Sequence, residues 1–181
     1  MGGPGWSGHV TSPAIIEPLD QAHVELAASW LTRPDVTQWL DFGRGRQRLP
    51  APALTLMLRQ DAQRLWLVRE TCGEPVGVVA LGDISPVFGT AVLWYVVGAT
   101  DARGRGIATA AVGAVLAEAF GALALHAVQA WVVRGNEASI RVLERNGFRR
   151  VGIQRACHVV DGERRDRVLF DRLATDPTPA G

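Results

Sequence analysis

The run Arg103-Gly104-Arg105-Gly106-Ile107-Ala108-Thr109 lies between the apolar stretch Ala91 to Val97 and the small-residue stretch Gly106 to Phe120. A glycine-rich turn between a strand and a helix lets backbone approach a ligand closely. The first amides of the helix, which have no intrahelical partners, then favour an anion such as a pyrophosphate. Arg103 and Arg105 would add charge-assisted contacts. A dinucleotide loop is disfavoured, because Thr109 stands at the final glycine place and no acidic residue follows at strand-end spacing. A Walker loop is excluded, since it needs lysine and all 19 basic residues are arginine. The same absence excludes Schiff-base chemistry through lysine. A turn that merely starts a helix is the remaining alternative.

Other reactive side chains are sparse. Cys72 and Cys157 are the only cysteines, too far apart for a CxxC site, and His9, His23, His126 and His158 lack HExxH-type spacing, so no metal site is expected. Cys72 falls in an expected hairpin turn and Cys157 has no evident partner base, which disfavours an acyl-enzyme on cysteine. Trp30, Trp39, Trp66, Trp94 and Trp131 read first as core or rim residues. The 19 basic and 18 acidic residues leave a net charge of +1, too even for nucleic-acid binding driven by overall charge. No apolar run reaches the roughly 18 residues of a membrane span, and no export signal is read in MGGPGWSGHV, so a cytoplasmic protein is expected.

These residues need a scaffold, and 181 residues with 48% hydrophobic content suit one domain with a full core. Residues 1–12 and 175–181, rich in Gly, Ser and Pro, read as flexible ends around a folded part at 13–174. Ala14 to Leu19 reads as a strand, and Asp20 caps a helix that carries Leu26, Ala27, Trp30 and Leu31. A short helix from Asp35 to Leu40 precedes a flexible loop, Asp41 to Arg46, and Ala53 to Gln63 read as helical. Leu65 to Arg69 and Pro75 to Leu81 form a hairpin, and Ala91 to Val97 a third strand. Gly106 to Phe120 is a helix of small residues, followed by a strand from His126 to Val133 and a helix from Glu137 to Arg145. Strands from Phe148 to Ile153 and Arg167 to Leu173 complete the chain, joined by a connection at 154–166. The result is a mixed α/β fold with a partly antiparallel sheet.

On these residues the chain resembles the GNAT superfamily of acyl-CoA-dependent N-acyltransferases, whose pyrophosphate loop reads Gln/Arg-x-x-Gly-x-Gly/Ala. Arg103, Gly106 and Ala108 match that loop. GEPVGVVAL, AVLWYVV, RGRGIATAAVGAVLAEAF, the Asn136-Glu137-Ala138-Ser139 tetrapeptide and NGFRRVG follow in the order and spacing of the ribosomal-protein-acetyltransferase-like branch, over residues 13 to 173.

The resemblance implies an α+β fold with a mixed, mostly antiparallel sheet of six or seven strands, flanked by helices. The sheet would splay between the strands of Tyr95 and Trp131 around the pantetheine arm of acetyl-CoA. Backbone of Tyr95, Val96 and Val97 would bind that arm, amides of Arg103, Gly104, Arg105, Gly106, Ile107, Ala108 and Thr109 the pyrophosphate, and Asn136 the arm again. Ser139 matches the residue near the thioester sulfur, where a hydroxyl can protonate the departing thiolate. Many relatives use a tyrosine there, but Tyr95, the single tyrosine, lies on a different strand. His158 stands where the branch often has a carboxylate and is the expected base, with Asp161, Glu163, Glu17 and Asp41 as competitors. Trp39, Phe42 and Arg44, beside Arg46 and Arg48, lie in the segment that shapes the acceptor pocket. The implied activity is transfer of acetyl to a primary amine, on a small molecule or a peptide N-terminus, in a ternary complex by a monomer or homodimer. A non-catalytic acyl-CoA-binding domain is the alternative. No nucleic acid, membrane or metal enters either reading.

Overall fold

A computed structural model of the chain describes residues 14–71 and 73–178. The expected flexible segment 1–12 and Cys72 lie outside the described residues. Strand β1 (Ala14–Pro18) opens the fold. Asp20 caps as expected, accepting from the His23 amide, but the turn it caps is a short 3-10 helix, Gln21–His23, which leads into α1 (Val24–Trp30). Helix α2 (Pro34–Thr37) and helix α3 (Ala51–Met57) follow. Pro50 and Pro52 favour the start of α3, and the chain leaves the helix after Met57, so the expected helical reach to Gln63 is too long.

Strands β2 (Arg64–Glu70), β3 (Pro75–Ser85) and β4 (Thr90–Val97) form an antiparallel meander rich in Val and Leu. Helix α4 (Ile107–Phe120) crosses over to β5 (Ala127–Val133), and α5 (Glu137–Arg145) leads to the hairpin of β6 (Arg149–Val160) and β7 (Glu163–Leu173). The sheet has seven strands in the order β1-β2-β3-β4-β5-β7-β6, with β4 and β5 as the parallel pair.

That parallel pair is short. Its register runs only through Thr90↔Ala127, Ala91↔Val128 and Val92↔Gln129. Beyond Val92, β4 continues along β3 to Val97 while β5 continues along β7 to Val133. The expected splay between the strands of Tyr95 and Trp131 is therefore present.

Alternation along β4 assigns its side chains to opposite faces. Ala91, Leu93, Tyr95 and Val97 pack on the face covered by α4 and α5, with Val112, Leu143 and Phe170. Trp94 and Val96 pack on the other face, with Leu31, Leu49 and Leu54 around α1 and α3. The small side chains of α4 let it lie close on the sheet, where Ile107, Ala111, Val112, Val115 and Ala119 are buried.

The stretch expected as a connection at 154–166 is mostly strand. Asp161 at φ 50° and Gly162 at φ 80° make the two left-handed central residues of a tight hairpin turn, a pattern that Asp-Gly favours. A bulge between Gln154 and His158, with Ala156 at φ 49°, re-aims the strand so that His158 is buried. Asp176, just past β7, accepts from the Leu173 amide and pairs with Arg149 at 3.0 Å. Among the described residues no helix is long and apolar enough to cross a membrane.

Candidate active site

Gly98 ends β4 where a Cβ would overlap the Trp30 ring, and the chain turns into the arginine-glycine loop. Gly104 and Gly106 have φ values of 75° and 81°, which L side chains rarely adopt, and nothing lies within 4 Å of where a Cβ would stand. Glycine is required there by conformation, and it leaves the approach to the backbone open. The first bond of the α4 ladder runs from Ala110 to Gly106 at 3.0 Å, so the amides of Ile107, Ala108 and Thr109 have no partner within the helix. Gly104, Gly106 and these three residues line a cavity of about 480 Å³.

The loop arginines behave differently from expectation. Arg103 reaches the cavity, but its Nη2 donates to Asp35 at 2.8 Å and its Nε to the Val97 carbonyl at 3.2 Å. Asp35 also takes two bonds from Arg33, and these together with Arg103 hold its carboxyl well below the usual range. Arg105 does not line the cavity and pairs with Glu70 at 2.6 Å. Two cations that the sequence reading missed, Arg141 and Arg145 of α5, line the cavity instead. Their spacing of one helical turn was the available signal.

Backbone direction in β4 corrects one expectation. The Gly98 amide donates to Val76, and antiparallel pairing alternates, so Val96 faces β3 while Tyr95 and Val97 face the gap. Val96 has no backbone group left for a ligand arm.

A second cavity, of about 500 Å³, is walled by Trp39, Phe42, Trp94 and Trp131, with Asp41 and Arg167. The Phe42 ring meets Trp94 edge-on at 5.2 Å. The two cavities share Trp39, Leu40, Tyr95, Asn136 and Ser139. At that junction the Tyr95 hydroxyl lies 2.6 Å from Ser139 Oγ and donates to the Ser139 carbonyl at 3.1 Å. Burial pushes the Tyr95 phenol up, against a smaller opposing effect of Ser139, so it stays protonated at neutral pH. Sequence reasoning set Tyr95 aside because of its strand. Its face of β4, shared with α5, is what carries it to Ser139. Asn136 caps α5 by accepting from the Ser139 amide at 3.3 Å.

Beside the second cavity, Arg167 ties several groups together. Its Nη2 donates to Asp41 at 2.7 Å and to His158 Nδ1 at 2.9 Å, and its guanidinium lies 3.9 Å from the Trp131 ring centroid. His158 Nε2 lies 2.7 Å from the Gln38 carbonyl, which only accepts, so Nε2 carries the proton and Nδ1 the lone pair. Burial, aided by Arg167, pulls His158 down from its ordinary value against the pull of Gln38 and Asp41. Burial raises Asp41, but Arg167 and the amides of Gly43 and Gly45 outweigh it and leave the carboxyl low. His158, expected as the base, is 3% exposed, lines neither cavity and has both nitrogens engaged.

The remaining candidates separate clearly. Glu17 pairs with Arg69 at the far edge of the sheet, Glu163 pairs with Arg165 at the hairpin tip, and neither these nor Asp161 lines either of the two cavities. The expected flexible loop is a turn held by Asp41, which accepts from Gly43 at 2.8 Å and Gly45 at 3.1 Å. Arg44, at φ 58°, is exposed there and lines a shallow depression with Phe42, Gly43 and Arg46, outside the main cavity. Arg46 lines the main cavity and Arg48 does not.

The amide-lined cavity thus meets the aromatic one where the sheet splays. The acetyltransferase (GNAT) domain family matches residues 14–149, and the chain belongs to that family. It is 39% identical over 74 residues to the probable N-acetyltransferase YjcK of Bacillus subtilis (strain 168), a match that spans 41% of this chain and 41% of the relative. Its fold is similar to that of a Vibrio cholerae spermidine N-acetyltransferase solved with CoA and spermine. That comparison gives a TM-score of 0.81 at 17% identity over 91% of this chain and 98% of the other. It is similar also to Mycobacterium smegmatis RimJ in complex with CoA-disulfide, with a TM-score of 0.74 at 23% identity over 89% and 82%.

Proposed function

We propose that this chain transfers acetyl from acetyl-CoA to a primary amine by direct attack in a ternary complex. The observation that carries this reading is the junction of the two cavities at Tyr95 and Ser139. The pyrophosphate sits on the amides that begin α4, and the arm runs along the gap beside Tyr95 and Val97 toward Asn136. Occupation of the Val97 carbonyl requires Arg103 to release it. The acceptor enters between Trp39, Phe42, Trp94 and Trp131.

The amine lone pair attacks the thioester carbonyl and forms the C–N bond. The tetrahedral adduct then collapses, the C–S bond breaks, and Ser139 passes its proton to the departing thiolate while it takes back, through water, the proton that the acceptor ammonium releases, so that the hydroxyl is restored. In the reacting arrangement the single Tyr95 proton turns from the Ser139 carbonyl to Ser139 Oγ, 2.6 Å away, and leaves the serine proton aimed at the sulfur. The ammonium formed on the acceptor loses its proton to water in the open cavity, because both nitrogens of His158 are engaged. His158 and Arg167 then act as positioning residues for Asp41 and Trp131. No acyl-enzyme is required.

The aromatic walls and the cavity size favour a small-molecule amine over a peptide N-terminus. The engaged state of His158 also supports a second reading, an acyl-CoA-binding domain without catalysis. The proposal places the protein in the cytoplasm, as monomer or homodimer. Thiol release from acetyl-CoA, measured with a pool of small amines and separately with short peptides bearing free N-termini, tests it. Release with small amines alone supports the proposal, and release with peptides alone moves the acceptor to a chain terminus. CoA binding without release from either pool favours the second reading.

A further inference from the structure

The phosphates of CoA need cations, and the loop expected to supply them has committed its own. Arg105 is paired with Glu70 and Arg103 with Asp35. Arg141 and Arg145 line the same cavity, are exposed, and make no side-chain hydrogen bond or ion pair among the described residues. The charged groups around this cavity are thus three arginines against the single carboxylate of Asp35. The arginines of α5 also stand beside the anion seat. Asn146, next to Arg145, donates from Nδ2 to the Thr109 carbonyl in the first turn of α4 at 3.1 Å, which pins the end of α5 to the start of α4. Arg141 lies one turn back on the same face.

CoA carries a second phosphate in addition to its pyrophosphate, a monoester on the ribose 3′ position. A phosphomonoester bears about −1.5 to −2 charge at pH 7 and three acceptor oxygens, which planar guanidinium forks match well. With the pyrophosphate on neutral amides, the unpaired cations remain for the monoester. We propose that Arg141 and Arg145 bind the 3′-phosphate of CoA and set the preference of this protein for CoA over 3′-dephospho-CoA. This inference rests on the acyl-CoA reading above.

Calorimetric titration of the full chain with CoA and with 3′-dephospho-CoA tests it, in the wild type, R141A/R145A and R141K/R145K. The wild type is expected to prefer CoA by about tenfold or more, the scale of one charge-assisted contact, about 1.4 kcal/mol. R141A/R145A loses most of that preference by weakening CoA while 3′-dephospho-CoA keeps its affinity, and R141K/R145K retains part of it. Alanine is the better helix former and these side chains hold no partner, so the thermal melt of R141A/R145A stays near that of the wild type. Equal weakening of both ligands, or an unchanged preference, overturns the inference. A wild type that binds neither ligand overturns the acyl-CoA reading itself.

Discussion

If Ser139 protonates the leaving thiolate and Tyr95 acts only through Ser139, the two hydroxyls must fail as a unit. Their oxygens are 2.6 Å apart at the junction of the two cavities. General acid catalysis contributes about 10²- to 10⁴-fold, and a thiol, with a pKa near that of cysteine at about 8.5, leaves readily, so the low end applies. Ser139→Ala is expected to lower kcat about 10²-fold with little change in KM for the amine. Tyr95→Phe removes one neutral hydrogen bond worth about 0.5–1.5 kcal/mol, which corresponds to roughly twofold to tenfold in kcat. The assay is thiol release over a range of acceptor concentrations for the four members of the double-mutant cycle. The double variant should be no slower than Ser139→Ala alone. Because burial keeps the Tyr95 phenol protonated, no alkaline fall in kcat should arise from it up to about pH 9. Full kcat in Ser139→Ala, or losses that multiply in the double variant, would refute the reasoning.

Other tests bear on the loop and on His158. Arg103→Glu places a carboxylate beside Asp35 and the anion seat, and CoA affinity measured by titration should fall about tenfold or more; unchanged affinity would remove the loop from the site. Gly106→Val forces a β-branched residue to φ 81°, a strain of about 1–3 kcal/mol, and should lower both Tm and CoA affinity; a folded variant that binds normally would make the loop merely structural. His158 is shifted below its ordinary 6.5 in the folded chain, so the unfolded chain binds the proton first as pH falls. Its contribution is full above about pH 6.5 and is lost progressively below that value. Melts between pH 7 and pH 5 should therefore show a steeper loss of Tm in the wild type than in His158→Gln, and parallel slopes would exclude this.

The parts of the fold written in local chemistry were legible. The strand triplet, the small-residue crossover helix and the run Glu137–Arg145 follow from propensity, alternation and capping. The β6–β7 hairpin was not legible in the same way: Asp161-Gly162 is a turn signal, but the residues between Gln154 and Asp166 are mostly polar and read as a connection rather than as strand. What local reading could not supply was the partner of each charge. Nothing near Arg103 in sequence says that Asp35 holds it, 68 residues away, or that Arg167 and Asp41 meet across 126 residues. Those pairings decide which arginines stay available to a ligand and whether His158 has a lone pair to offer. Likewise Tyr95 and Ser139 are 44 residues apart and meet because their elements share one face of a splayed sheet.

The same pairings explain how the segment from α2 to the turn at Asp41 is held. Residues 35–41 run from the cavity beside α4 to the aromatic one and carry Trp39, which lines both. Asp35 fastens the start of this segment to Arg103, the Gln38 carbonyl accepts a hydrogen bond from His158 Nε2, and Asp41 is fastened to Arg167 of β7. The Asp41–Arg167 pair is the most enclosed of these, with the two side chains 17% and 14% exposed, so losing one partner leaves a charge in a poorly solvated place. The pair at Asp35 is more open and is screened by solvent. The Asp41 end of the segment is therefore held more firmly than the Asp35 end. Loss of the Asp35–Arg103 contact should then leave the aromatic wall in place, because Trp39 stays held from the other side through Gln38 and Asp41.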